Sequence, residues 1–279
     1  MTVTAAVTAG DKGSVLVVGA NAALAYPCLK FLLHEGYSLH LTCRTLSKAL
    51  AVKARLLTGL QRAGNAASTA ASAALEDRIF VSALTLPASL VQVKALFASL
   101  QQRRLCGILI AAGMYAQTDV LHAEGEPGLV HELQLLSVNF NALIPVIALG
   151  ARELSAVKTE RGSRPFIAVI SSVAGVRGRA SNYAYGASKA ALSTYLSGLR
   201  QSRPELCVID LRPGLIHSPM LQGRELPRIL ISKPECMVKA LKKGLKHPRG
   251  GVFYVPGWWR LIMGVAALLP ERLYQRLKL

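Results

Sequence analysis

Apolar residues in this chain follow two alternating rhythms. Short unbroken apolar runs close on glycine or a small residue. Between them, apolar positions recur every three to four residues. Ser14–Val18 (SVLVV) is the first run and ends at Gly19. Residues 22–35 continue with helical spacing until Gly36, and Ser38–Cys43 forms a second run. A β-α-β opening of this kind predicts parallel strands joined by a right-handed crossover. The alternation persists to the end of the chain. Helices are predicted over 46–62, 88–101, 129–158, 183–201 and 235–246, and strands over 79–84, 107–111, 165–171, 207–211 and 252–255. Seven strands alternating with helices predict a doubly wound, Rossmann-type parallel α/β sheet. Residues 63–74 (AGNAASTAASAA) are small and low in complexity, and read as a surface insertion. With no repeat or domain boundary, residues 14–256 are expected to be one domain after a polar lead-in over 1–13.

The tail changes the picture. Trp258-Trp259-Arg260 precedes an uncharged run of ten residues, 261–270, and then ERLYQRLKL. A spanning helix needs about 20 apolar residues, so this run does not predict a crossing. Paired Trp, a short apolar stretch and flanking cations are features of a helix lying in a membrane interface. Packing on the sheet, or in an oligomer contact, is the other reading of 257–279. The formal net charge of +18 is concentrated here: residues 224–279 carry twelve Lys/Arg against three acids, a surplus of nine. Such a patch attracts polyanions. Lipid is favoured over nucleic acid because no basic stripe interleaved with aromatics extends beyond the two Trp.

Five scattered cysteines without a C-x-x-C pair fit reduced thiols and make structural zinc unexpected. No secretory signal pattern opens the chain, so a cytoplasmic location is expected, at the inner face of the membrane if the tail touches lipid. The six histidines show no ligand spacing and read as surface or outer residues.

Two segments carry candidate chemistry. The turn after the first strand, Gly19-Ala20-Asn21-Ala22-Ala23-Leu24-Ala25, is made largely of small residues, which lets backbone N–H groups approach a pyrophosphate at a helix start. Further on, Ser171-Ser172 ends a strand, and Tyr185 and Lys189 stand four residues apart on the next helix, sharing one face. A phenol titrates near pH 10, too high for ready proton transfer at neutrality. An ammonium nearby lowers that value and makes Tyr185 a usable general acid or base, while Ser172 can polarise a carbonyl oxygen.

On these residues the chain resembles the short-chain dehydrogenase/reductase family, over about residues 14–220. Gly19 to Ala25, with Asn21, Ala23 and Leu24, occupies the family's TGxxxGxG turn. Ile110 to Gly113 stands where the family has NNAG. Asn139, Ser172, Tyr185 and Lys189 match its catalytic tetrad, and Pro213, Gly214, Ile216 and Ser218 match its PG-x-V-x-T segment. The resemblance implies that Tyr185 passes a proton to or from substrate oxygen. Lys189 grips the nicotinamide ribose, Ser172 holds the carbonyl, and Asn139 positions a relay water. It also implies a homo-oligomer. Departures are Ala23 and Ala25 for two glycines, Ile110 and Ala111 for the Asn pair, and Ala83 and Thr85 where an acid meets adenine. At the end of strand two stands Arg44, with Lys48 one turn on, where an acid would select NAD. A guanidinium there suits a 2′-phosphate, so NADP(H) is the expected cofactor. Residues 254–279 are similar to the tails of bacterial members resembling decaprenylphosphoryl keto-pentose reductases, which implies a lipid-linked or otherwise amphiphilic substrate. The alternatives are a soluble carbonyl reductase, a sugar epimerase or dehydratase of the extended family, and a non-catalytic membrane-surface protein. The short stretch after Gly214 argues against the epimerase, and the intact tetrad against the non-catalytic protein.

Overall fold

The computed structural model describes residues 12–61, 69–115, 126–157, 164–221 and 227–277. Seven strands, β1 (Ser14–Val18), β2 (Ser38–Cys43), β3 (Ile79–Ala83), β4 (Leu105–Ile110), β5 (Phe166–Ile170), β6 (Cys207–Pro213) and β7 (Gly250–Val255), form one sheet. Its order is β3-β2-β1-β4-β5-β6-β7, and every pairing is parallel. The order reverses beside β1, which opens a crevice at the carboxyl ends of the strands.

The strand sequences explain the layers. In β1, Val15 and Val17 point into one core with Leu29 and Leu32 of α1 (Ala25–His34) and Leu56 of α2 (Leu46–Gln61). Leu16 and Val18 point into the other, with Val93 of α4 (Leu90–Leu100), Val146 of α6 (Ile144–Ser155) and Leu192 of α7 (Tyr183–Ser202). Both faces are therefore apolar, as a strand covered by helices on both sides requires. Ser89 caps α4 through a reciprocal capping box with Gln92.

Three expectations need correction. The helix predicted over 129–158 is two helices, α5 (Glu126–Asn139) and α6, separated by a 3₁₀ turn at Asn141–Leu143. Apolar spacing runs through the break, but Pro145 has no N–H to continue a helix and fits only in a first turn. Gly128–Ser155 is long and apolar enough to cross a membrane by length and composition. Here it is interrupted, and its second half packs in the core through Val146, Ile147 and Leu154. In the small-residue segment, Thr69–Glu76 is helical (α3), because its four alanines favour helix once Gly64 is passed; 62–68 lies outside the described residues, as does 1–11. Finally, His40 is no surface residue. It sits inside the sheet bonded to Ser82 at 2.9 Å, and burial lowers its pKa to about 4. His122 lies outside the described residues.

Basic helix α8 (Cys236–Lys246) covers β6 and β7. The tail forms α9 (Trp259–Leu268) and α10 (Glu271–Tyr274). Trp259, Met263 and Ala266 of α9 pack with Tyr274 on Val173, so one face of the tail helix belongs to the domain. All five cysteines are free thiols.

Candidate active site

At the carboxyl ends of the strands lie two cavities of about 270 and 290 Å³. They share Asn21, Ala22 and residues 111–114, so they form one elongated cleft. Gly19 and Arg44 line one end. Ala23, Leu24, Ser172, Tyr185, Lys189, Pro213, Gly214, Ile216 and Ser218 line the other, and Gly113 lines both. Of the nominated residues, Asn139, Ala25 and Ile110 do not line this cleft but are fully buried, and Lys48 lies outside its lining.

The first end has the build of a dinucleotide cradle. Gly19 has φ +80°, and a Cβ there would stand 2.5 Å from the backbone nitrogen of Ala112. Only glycine permits that backbone and that approach of β1 to the β4 exit. The two alanines that replace glycines cause no disruption. Ala25 begins α1 fully buried, and Ala23 stays in the turn at the cleft wall. No side chain caps α1 at Leu24, but the Ala25 N–H is bonded to the Ala22 carbonyl at 3.0 Å and Pro27 has no N–H, so little of the first turn is left to meet an anion. Arg44 is exposed at the end of β2, and its backbone carbonyl accepts a bond from Thr85 Oγ1 at 2.9 Å, which ties the β2 and β3 exits together. Leu84 and Leu86 supply an apolar slot where the acid is missing. These residues fit a dinucleotide with an anionic group near Arg44.

The second end holds the proton-transfer groups. Ser172 is extended (φ −169°) and its Oγ accepts the Ala174 N–H at 3.1 Å, which leaves the hydroxyl proton for the Tyr185 side. Tyr185 bonds to Ser172, and the ring of Tyr115 packs edge-on against it at 5.0 Å. Lys189 Nζ lies 5.7 Å from the Tyr185 ring centre. A Cβ on Gly113 would stand 3.1 Å from that ammonium, so the missing side chain leaves it room.

Electrostatically the pair departs from expectation. The sequence reading has Lys189 pulling the Tyr185 phenol down. In the structure burial pushes Tyr185 up to about 12, opposed by its bond to Ser172. Burial also lowers Lys189 to about 8, opposed by the charge of Asp210. Removing both groups from water penalises the charged form of each, and at 5.7 Å from the ring the ammonium does not overcome that penalty. At neutral pH Tyr185 is therefore a phenol with a proton to give.

Asn139 is held by three protein bonds. Its Oδ1 accepts the Met114 N–H at 2.8 Å, and its Nδ2 donates to the Met114 carbonyl at 2.9 Å and to Ser188 Oγ at 3.1 Å. Ser188 in turn donates to the Tyr185 carbonyl at 2.7 Å. These protein partners engage the side-chain amide, which fixes the β4 exit to α7 and so sets the position of Tyr185.

Asp210, Tyr115 and Trp259 are site neighbours that the sequence reading missed. Asp210 is fully buried on β6, bonded to Ser171 Oγ and to Arg212 Nε at 2.9 Å. An acid inside the apolar run CVIDLRP is the signal that was available, because a buried carboxylate needs partners. Trp259 lies against Gly214, where any Cβ would run into the indole.

Comparison with known proteins agrees with this geometry. The family profile described as short chain dehydrogenase matches residues 13–228. An uncharacterized oxidoreductase of Streptomyces coelicolor is 32% identical over 132 residues, 47% of this chain and 51% of its own. An uncharacterized oxidoreductase of Mycobacterium tuberculosis is 29% identical over 157 residues, 56% of this chain and 60% of its own. The chain thus spans about half to three fifths of the length of these curated relatives. Among solved structures, a short chain dehydrogenase from Burkholderia cenocepacia in complex with NADP aligns with TM-score 0.67 at 17% identity, over 94% of this chain and 100% of that one. One from Shigella flexneri, complexed with NADP, aligns with TM-score 0.68 at 19% identity, over 88% and 98%. At such identities these likenesses show the fold.

Proposed function

This chain belongs to the short chain dehydrogenase family, and from that premise we propose that it is an NADP(H)-dependent oxidoreductase that reduces a carbonyl group on an amphiphilic, lipid-linked substrate such as a polyprenyl-phosphate keto-sugar. The observation that carries the catalytic part is the convergence of Ser172, Tyr185 and Lys189 in a cleft whose far end holds Arg44. NADP-bound structural neighbours support the choice of cofactor. The similarity of residues 254–279 to tails of reductases of lipid-linked sugars supports the substrate class, as does the mouth of the cleft, where Met220 is 44% exposed.

When bound, NADPH supplies the hydride. Everything else falls to side chains of this protein. Ser172 donates its hydroxyl proton in a hydrogen bond to the carbonyl oxygen and holds it beside Tyr185. As charge grows on that oxygen, Tyr185 delivers its phenolic proton. Burial keeps Tyr185 protonated at neutral pH, the state from which reduction starts. Lys189, charged below about pH 8, stabilises the phenolate that Tyr185 becomes and donates to the ribose hydroxyls.

Fluorescence titration with NADPH and NADH tests the cofactor assignment. Tight NADPH binding with weak NADH binding is expected, and binding of neither sinks it. A second expectation concerns pH. Lys189 loses its proton as pH rises through about 8, so the reduction rate at saturating NADPH is flat below that pH and falls above it. Lys189→Arg keeps its charge to higher pH and moves the fall upward. A fall that stays at the same pH in that variant removes Lys189 as its origin.

A further inference from the structure

We propose that the cleft between α8, β7 and the first turn of α9 is a binding site for the phosphate headgroup of an anionic phospholipid, with the outer face of α9 seated among the acyl chains beside it. This goes beyond the catalytic reading and does not depend on it.

The cleft has a volume of about 470 Å³ and lies apart from the catalytic cavities, with no lining residue in common. Lys239 and Lys243 reach it from successive turns of α8, and Arg260 faces them from α9. All three are exposed, and among the described residues no carboxylate lines the cleft. The nearest acid along α8 is Glu235, one turn before Lys239 and outside the lining. Beyond α9, Glu271 is already paired with Arg177 at 2.7 Å, while Arg272 and Arg276 remain exposed. Three convergent cations without a counter-charge form an anion site.

What lies next to the cations identifies the anion. On α9, Trp259, Met263 and Ala266 form the buried row. Leu261, Val265 and Leu268 form a second row with the same i, i+4, i+7 spacing, and they are 75%, 62% and 86% exposed. Arg260 sits on the flank between the rows, so the cationic cleft and the outward apolar row adjoin. Trp258, stacked on Trp259 with ring centres 4.9 Å apart, is partly exposed at the start of the helix. A ten-residue helix spans about 15 Å, half a bilayer core. Lying flat, it places the leucines below the headgroups and the cations at phosphate level. A soluble phosphate or a nucleic acid uses the cations and leaves the apolar row in water; an anionic bilayer covers both.

The test is co-sedimentation of the full chain with vesicles of phosphatidylcholine alone and of phosphatidylcholine with phosphatidylglycerol. Binding to the anionic vesicles at least ten-fold tighter than to the neutral ones, and weakened by salt, is expected. Lys239→Gln with Lys243→Gln lowers anionic binding about ten-fold or more. Leu261→Ser with Leu268→Ser lowers binding to both compositions. Both pairs are exposed, so the domain stays folded, which circular dichroism checks. Tyr185→Phe binds vesicles like the parent, which separates this site from catalysis. Equal binding to the two compositions overturns the proposal, as does an unchanged anionic preference in the lysine variant. Tight binding of inorganic phosphate or duplex DNA without vesicle binding does the same.

Discussion

Replacing Tyr185 by phenylalanine lowers kcat about a thousand-fold and leaves NADPH affinity within about two-fold of the parent. The substitution removes one oxygen from a fully formed site. The ring keeps its edge contact with Tyr115, and the backbone of α7 stays tied through Ser188 to Asn139. What disappears is the proton that burial holds on the phenol up to about pH 12. No other described group takes its place: Ser172 is a poor acid, and Lys189 lies beyond the ring. Single-turnover reduction with pre-bound NADPH measures the loss directly. A variant that keeps a tenth of the parent rate shows that the proton comes from elsewhere.

Arg44→Asp gives the second large effect. Charge-assisted bonds from a guanidinium to a phosphate contribute roughly 1.5–3 kcal/mol, and the reversal adds repulsion where attraction was. NADPH affinity therefore falls about a hundred-fold, while NADH affinity holds or improves because the new carboxylate accepts from a ribose 2′-hydroxyl. Arg44 is exposed at the end of β2 and its backbone bond to Thr85 does not involve the side chain, so stability is unaffected. An unchanged ratio of NADPH to NADH affinity shows that Arg44 does not hold the phosphate.

β1, β2, β4, β5 and β6 were legible because each is a short apolar run buried on both faces, while the edge strands β3 and β7 are partly exposed and show only as short apolar runs. β1 and β2 match their predicted limits residue for residue. The break at 140–143 was hidden because apolar spacing continues across it and only Pro145 marks it. The cleft residues were legible as motif positions, since Gly19, Ser172, Tyr185 and Lys189 each carry chemistry at a characteristic spacing. Their electrostatics were not. Spacing places Lys189 on the same helix face as Tyr185, but burial decides which of the two gives up charge, and burial depends on Tyr115, Leu135 and Ala184 packed around the ring. The link from Ser171 to Arg212 through Asp210 was likewise invisible until β5 and β6 were laid side by side.

The strand order also sets a schedule for synthesis. β1 lies inside the sheet; β2 and β3 extend it to one side, and β4, β5, β6 and β7 extend it to the other in chain order. β4 pairs back onto β1, and from β5 onward each strand leaving the ribosome finds its partner in the strand made just before it. The growing sheet thus presents one open edge on that side at a time; α8 precedes β7, and α9 arrives after the sheet has its strands. A nascent chain stopped before residue 259 has a complete sheet, but Val173 and Gly214 are uncovered and no outward leucine row exists. The face proposed to meet lipid is thus made in two stages: the lysines of α8 come before the sheet is complete, and the outward apolar row of α9 after it.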